Sequence, residues 1–347
     1  MNIRPAYIDD SIVELSLFGS NEAPVRPDPG RNGEMEGEVI YAANEGRFES
    51  ATFEEELTEY TVGWKEPTQL DVLLEFLAPS VKTNQRRFEY KKNVNVEMLQ
   101  TDTAYNDDTI GVGQDPKRVE RSRTTAFDKT LNRALMMRVY HEDVTDDSFC
   151  QEYTDWLLSR LYRNSLIRAY GIGLAAAINN AVTWHTDGTA CNPDDDLRQA
   201  IIAAGNDSGI EPNRAIFGRT AWAARQAAYE ALNVFGGGFN ESRLTKQQLA
   251  EKLELDEVMT FSARYQSTAA AKSLISGLSV LAFFATPGAK KEDPTNLKRF
   301  VTSTEGGTPF RVYVEEKAKY TDIMVEHYDK PVLTDSQGIQ KLTVTRA

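Results

Sequence analysis

The chain contains very little cysteine and no long apolar run, and each shortage excludes a class of protein. Of its 347 residues only Cys150 and Cys191 are cysteines. Any disulfide framework is therefore limited to one bridge, and two free thiols in a reducing compartment are the simpler interpretation. No stretch approaches the roughly 18 consecutive apolar residues of a transmembrane helix, and acidic residues stand where a secretory signal has its apolar core. We expect neither membrane insertion nor export.

Motifs that carry catalysis or bind metals are also missing. The three histidines are His141, His185 and His327. None has metal-ligand spacing to another histidine or to a cysteine, and the chain has neither a GxSxG elbow nor a P-loop. Gly171 and Gly173 have dinucleotide-loop spacing but lie inside a helical pattern, which favours close helix packing. Asp194, Asp195 and Asp196 precede a helix and are typical of its N-terminal dipole. We predict no catalytic residue, no cofactor and no metal.

The charge of the chain is strongly negative and unevenly distributed. A net charge of −13 argues against a surface that grips nucleic acid, because phosphate binding needs clustered Lys and Arg. Residues 1–60 contain 4 basic and 14 acidic side chains, a net charge of −10, and residues 86–138 contain 11 basic and 8 acidic ones, a net charge of +3. Two interpretations stay open: two solvated faces that never meet, or complementary surfaces on different molecules.

The hydrophobic pattern divides the chain into segments of different type. Residues 1–60 are rich in Pro, Gly and acids and lack an apolar period, which is typical of an arm. Alternation through Phe88 and Tyr90, followed by a turn-rich stretch and a second extended run, predicts a long hairpin that needs another surface to lie on. Apolar residues at helical spacing predict one long helix over 146–182. Beyond it helices and buried strands alternate, and the chain ends in β-structure.

This order resembles the major capsid proteins of tailed bacteriophages. The likeness covers about residues 65 to 347 and rests on RRFEYKKNVNV, the helix over 149–182, EPNRAIFGRTAWAARQ and EHYDKPVLTDSQGIQKLTV. The resemblance implies the α+β fold of that family, with an N-terminal arm at 1–64. It also implies a peripheral domain at 65–182 and 305–347, and an axial domain at 183–304. The peripheral domain would carry an extended loop at about 86–138 and a spine helix at about 146–182.

The function implied by the resemblance is structural and not enzymatic. Subunits of this family self-assemble as hexamers and pentamers into the icosahedral head of the virion. That head encloses double-stranded DNA without sequence-specific binding and without a membrane. A scaffolding protein, a portal and decoration proteins are the implied partners, and the host bacterial cytoplasm is the implied place of assembly. Some relatives join a lysine of the loop to a neighbour's asparagine, but TDTAYNDDTIGVGQD at the predicted tip has no lysine, so we expect no cross-link.

The uneven charge suggests which residues make contacts between subunits. Arg86, Arg87, Lys91 and Lys92 stand where the predicted loop begins, and they are the candidate assembly contacts with the acidic arm of a neighbour. Two alternatives to the phage capsid remain. One is a bacterial nanocompartment shell protein, which has the same fold but encloses an enzyme cargo. The other is an α/β enzyme whose site the sequence does not reveal.

Overall fold

The computed structural model describes residues 53–92, 110–113, 115, 124–144, 148–232, 241–266, 271–288, 290–303 and 308–347. The chain divides into two compact units, residues 1–49 and residues 50–347, and every described residue belongs to the second. The N-terminal 49 residues of the predicted arm, Val94, Val96 and most of the predicted loop tip lie outside the described residues.

Helices and strands are both well represented, which confirms the α+β class. The described helices are α1 (Glu55–Gly63), α2 (Leu70–Leu77), α3 (Phe149–Ala176), α4 (Pro193–Ser208), α5 (Arg219–Ala231) and α6 (Lys246–Lys252). The described strands are β1 (Ser80–Thr83), β2 (Arg87–Lys91), β3 (Thr125–Lys129), β4 (Leu131–Tyr140), β5 (Ile178–Trp184), β6 (Arg214–Gly218), β7 (Glu257–Phe261), β8 (Arg264–Gln266), β9 (Lys272–Leu274), β10 (Ser279–Phe283), β11 (Leu297–Thr302), β12 (Arg311–Glu316), β13 (Tyr320–Leu333) and β14 (Gln340–Arg346).

Helix α1 lies inside the predicted arm of residues 1–64, yet it packs within the second unit. The backbone N–H of Val312 in β12 donates to the Thr58 hydroxyl at 3.1 Å, and the N–H of Glu54 donates to the Val312 carbonyl at 3.1 Å. Thr58 and Thr61 are buried on this side of the helix. The end of the predicted arm is therefore folded against a strand, where the buried N–H of Val312 finds its acceptor in the Thr58 hydroxyl.

The first sheet is organised around β13, its longest strand. β13 pairs antiparallel with β4, β11 and β12, and β1 extends the sheet by parallel pairing with β11. Residues 131–138, predicted as the end of the extended loop, already lie in β4 and pair with β13. The predicted loop therefore rejoins the sheet at Leu131. The preceding residue, Thr130, donates its N–H to the Arg86 carbonyl at 2.8 Å.

The second sheet has the strand order β5-β14-β10-β6-β7 and is covered on both faces. All five residues of β6 and of β10 are buried. Phe217 and Val280 face a core formed with α4, α5 and α6, and Ile216 and Leu281 face a second core formed with α2 and α3. Two apolar faces explain why these strands read as continuous apolar runs in the sequence.

Helix α3 joins the two sheets. Leu157, Leu158 and Leu161 in its first half pack against β13 and β12 of the first sheet, and Leu166 and Tyr170 in its second half pack in the α2 core of the second sheet. None of the described helices, α3 included, combines the length and the apolar character needed to cross a membrane.

The long predicted helix is present, but its bounds of 146–182 need correction. It begins at Phe149 and ends at Ala176, and β5 follows at once from Ile178. The predicted helix end, Val182, pairs with Val344 of β14 in a parallel ladder. Backbone pairing with β14 stabilises the extended form here, and β-branched residues favour it. Asp146 and Asp147, predicted to begin the helix, lie outside the described residues.

Two strands lie in a different sheet from the one that the predicted domain bounds imply. β14 belongs to the second sheet, although residues 305–347 were predicted to close the peripheral domain. β11 belongs to the first sheet, although residues 183–304 were predicted as the axial domain. The predicted change of domain at residue 304 therefore does not coincide with a boundary between the two sheets. An alternating pattern predicts that a segment forms a strand, but it does not predict which strand is its partner. The division into two domains stays a prediction.

Candidate assembly surface at the loop base

The predicted loop starts as a two-stranded hairpin of β2 and β3. The strands pair antiparallel from Arg87 opposite Lys129 to Lys91 opposite Thr125. Alternate residues of a strand share a face, so Phe88 and Tyr90 of β2 lie together on the inner face, where both are buried. The ring of Phe88 stacks on Phe300 with centroids 4.1 Å apart. Aromatic packing on the first sheet thus supplies the surface that the hairpin needed.

Polar contacts reinforce the junction between the hairpin and the first sheet. The Lys330 ammonium donates to the Asp128 carboxylate at 2.8 Å. The hydroxyls of Thr130 and Thr302 lie 2.8 Å apart, and those of Thr83 and Thr302 lie 2.9 Å apart. Burial, and then the negative charge of Asp128, raise the pKa of Tyr90. These contacts hold the start of the hairpin in one orientation.

The four predicted assembly residues lie on strand β2 or directly beside it, in different environments. The Arg86 guanidinium stands 4.8 Å from the centroid of the Tyr328 ring. The Lys91 ammonium donates to the Thr125 hydroxyl at 2.6 Å and to Glu89 at 3.3 Å, and only 16% of its side chain is exposed. Arg87 and Lys92 have exposed side chains. Lys91 therefore serves the hairpin itself, and the assembly role of the set stays a prediction.

The outer face of the hairpin carries an exposed aromatic residue that sequence reasoning missed. Phe127 is 78% exposed and lies opposite Glu89 in the ladder. Its neighbours on that face include Arg87 and Lys129. The sequence did contain a signal for its exposure. Phe127 lies between Ala126 and Asp128 and two residues before Lys129, so in a strand it shares the outer face with Lys129. An exposed aromatic side chain beside cations is a feature of protein interfaces.

Behind the hairpin, a buried carboxylate connects β13, β4 and α3. Asp329 Oδ2 accepts from the Ser165 hydroxyl at 2.6 Å. Its Oδ1 lies 3.4 Å from His327, 3.6 Å from Arg168 and 3.9 Å from Arg133. Burial opposes ionisation, but His327, Arg168 and the Ser165 hydrogen bond outweigh it and hold the pKa of Asp329 well below its usual range. One charge therefore connects the start of β4 to the long helix.

The three aspartates, predicted to precede a helix, lie in the first turn of α4 and have structural partners. Asn192 caps the helix by accepting from the Asp195 N–H at 3.3 Å. Asp194 is buried and accepts from Arg225 at 2.6 and 2.8 Å and from Lys252 at 3.0 Å. Burial opposes its ionisation, but the two cations prevail and lower its pKa. Within the described ranges no group of three or more His, Cys, Asp or Glu side chains is arranged to hold a metal ion.

Comparison with known proteins gives a likeness in structure and none in sequence. No family model matches the chain, and no curated protein matches it. A phage-related protein from Bordetella bronchiseptica superposes with a TM-score of 0.62 at 15% identity, over 84% of this chain and 96% of that one. A virus-like particle from Pyrococcus furiosus has a TM-score of 0.47 at 11% identity, over 83% and 98% of the two chains. The capsid of cyanophage P-SCSP1u has a TM-score of 0.46 at 10% identity, over 79% and 88%. The first likeness shows that this chain shares the fold of the phage-related protein.

Proposed function

We propose that this chain is the major capsid protein of a tailed bacteriophage, a structural subunit and not an enzyme. One observation carries the proposal: a hairpin with an exposed outer face is anchored to the first sheet, in the fold of a phage-related protein. The anchoring fixes the direction in which the hairpin leaves the subunit. Repeating such a directed contact from copy to copy closes a shell when the rotation between copies allows it.

The remaining partners follow from this proposal. Copies of the chain would form hexamers and pentamers of an icosahedral virion capsid, assembled in the host bacterial cytoplasm. A scaffolding protein and a portal would guide assembly, and decoration proteins would bind the finished shell. The net charge of −13 suits a container that encloses double-stranded DNA without binding particular sequences, because a strongly acidic protein does not condense on phosphates.

Particle formation is the direct test of the proposed function. The chain is expressed in bacteria, alone and together with its phage's scaffolding protein, and the product is examined by sedimentation and negative-stain electron microscopy. We expect round, closed shells of uniform diameter. Nuclease-protected DNA in particles from phage lysates would identify the head, whereas an enzyme cargo would identify a nanocompartment. A product that stays monomeric or dimeric under every condition would contradict the proposal.

We further propose that the charges at the hairpin junction contribute to contacts between subunits. The proposal rests on the exposed side chains of Arg87 and Lys92. Replacing Arg86, Arg87, Lys91 and Lys92 by Gln should reduce shell yield and flatten its dependence on salt, since exposed pairs are screened over ~8 to 10 Å at physiological ionic strength. Lys91→Gln alone is the matched control, because it removes an internal contact. Unchanged yield and salt response in the fourfold variant would show that these charges are only solvated.

A further inference from the structure

Two exposed surfaces of this chain match each other in charge and in apolar character. The first, the hairpin outer face, consists of Arg87, Glu89, Phe127 and Lys129. The second, the α1 stripe, consists of Glu55, Glu59 and Val62, which follow one another at the i, i+4, i+7 spacing of a single helix face. All seven side chains belong to exposed residues. The two surfaces therefore do not cover each other within one copy.

The hairpin outer face has an unbalanced positive charge. Arg87 and Lys129 stand directly opposite each other in the β2–β3 ladder. Like charges in that position destabilise a strand pair. Glu89 does not relieve them, because it pairs with Lys91 at 3.3 Å. Phe127, which is 78% exposed, lies on the same face. An anionic surface with an apolar contact would compensate for both features.

The α1 stripe has the opposite unbalanced charge. Glu55 and Glu59 are an i, i+4 pair of like charge, which destabilises a helix. The helix dipole accounts for an acid in the first turn, where Glu55 and Glu56 lie, but its effect fades before Glu59. Val62, one helical turn beyond Glu59, is 62% exposed. The stripe thus presents two carboxylates followed by an apolar side chain.

We propose that the hairpin outer face of one subunit packs on the α1 stripe of a second copy of this chain. Phe127 would contact Val62, and Arg87 and Lys129 would face Glu55 and Glu59. A second copy is the chosen partner because the complementary charge and apolar contact are both present on the same chain. The inference rests on the proposed shell function, since a repeated contact of a surface with a different surface builds a ring or shell.

Charge reversal with rescue tests the pairing. Arg87→Glu with Lys129→Glu places two acidic surfaces together, and Glu55→Lys with Glu59→Lys places two basic surfaces together. Each double variant should lower shell yield at least roughly tenfold, since like-charge juxtaposition excludes a partner. Combining all four substitutions restores opposite charges and should restore most of the yield. Circular dichroism of the unassembled subunits verifies that each variant folds, and Glu230→Lys with Glu251→Lys reverses exposed acids elsewhere as the matched control.

A disulfide test gives an answer that does not depend on yield. Val62→Cys copies and Phe127→Cys copies are mixed, assembled and oxidised, and a dimer on a non-reducing gel should require both variants. Neither variant alone should give that dimer beyond what Cys150 and Cys191 of the native chain produce. The pairing would be overturned if the native chain forms shells, the combined charge-reversal variant shows no rescue and the mixture of cysteine variants yields no dimer. That outcome would leave the shell function intact. Absence of shells from the native chain would instead overturn the proposed function.

Discussion

Replacing Asp329 by Asn tests whether one buried charge holds strand β4 on the long helix α3. The substitution keeps the size of the side chain and removes the charge that faces His327 on β13, Arg133 on β4 and Arg168 on α3. Asp329 is fully buried, so bulk water does not reach the position of the lost charge. The two guanidinium groups would then remain beside a neutral amide. We expect the free energy of unfolding to fall and β4 to loosen first.

The structure sets the size of this loss. Removing one partner of a buried ion pair costs ~3 to 5 kcal/mol. The lower end applies here, because Arg133 and Arg168 keep 24% and 28% of their side chains exposed, which discounts their contribution. We therefore expect about 3 kcal/mol. Asp128→Asn is the control: its pair with Lys330 has 25% of each side chain exposed, and such pairs contribute ~0 to 1 kcal/mol.

The same charge predicts the dependence of stability on pH. The pKa of Asp329 is depressed in the folded chain, whereas an unfolded aspartate titrates near ~3.9. Its contribution is therefore fully present above about pH 5 and is lost as the pH falls below ~4 toward the folded pKa. The stability gap between the native chain and Asp329→Asn should therefore narrow as the pH falls below ~4.

Urea unfolding of the unassembled subunit, followed by circular dichroism from pH 3 to pH 8, measures both effects. Hydrogen exchange of the β4 amides reports whether that strand opens before the rest of the sheet. A loss below ~1 kcal/mol, equal to that expected of the partly exposed control pair, would refute the assignment of Asp329 as the link between strand and helix. A gap that stays the same in acid would refute the pH argument.

Three further predictions concern packing and covalent state. Gly218→Ala should abolish soluble folded protein, because the new Cβ would lie 1.9 Å from the carbonyl oxygen of Gly277. Gly171→Ala is the control: its new Cβ would have nothing within 4 Å, and the stability should change by less than ~1 kcal/mol. The soluble fraction and the thermal midpoint of both variants test this prediction. Phe88→Ala removes the ring stacked on Phe300 at 4.1 Å and should lower the free energy of unfolding by ~3 kcal/mol. The hairpin should then become the first site of protease cleavage, and cleavage that starts elsewhere would contradict this. Mature particles boiled in detergent should give one gel band near 38.9 kDa, and a ladder of multimers would show a cross-link.

Local patterns predicted the element types because local physics decides them. Phe88 and Tyr90 alternate with polar residues and are buried together in a strand, as a period of two requires. Leu157 and Leu161 repeat at helical spacing and lie on the buried face of α3. The acids in the first turn of α4 were assigned correctly to a helix start. Asp194 also forms a buried ion pair with Arg225, a partner 31 residues away that no local pattern indicates.

Sequence by itself determined the presence of both helices and strands, their order and the segregation of charge, since each depends on neighbouring residues. Only the tertiary structure decided where α3 ends, since Ile178 becomes a strand by pairing with Gln340, far along the chain. It alone also decided which sheet receives β11 and β14, and that Lys91 is engaged while Phe127 is exposed. The physical reason is common to these cases: pairing and burial are properties of two segments in contact, and a pattern within one segment does not name the other.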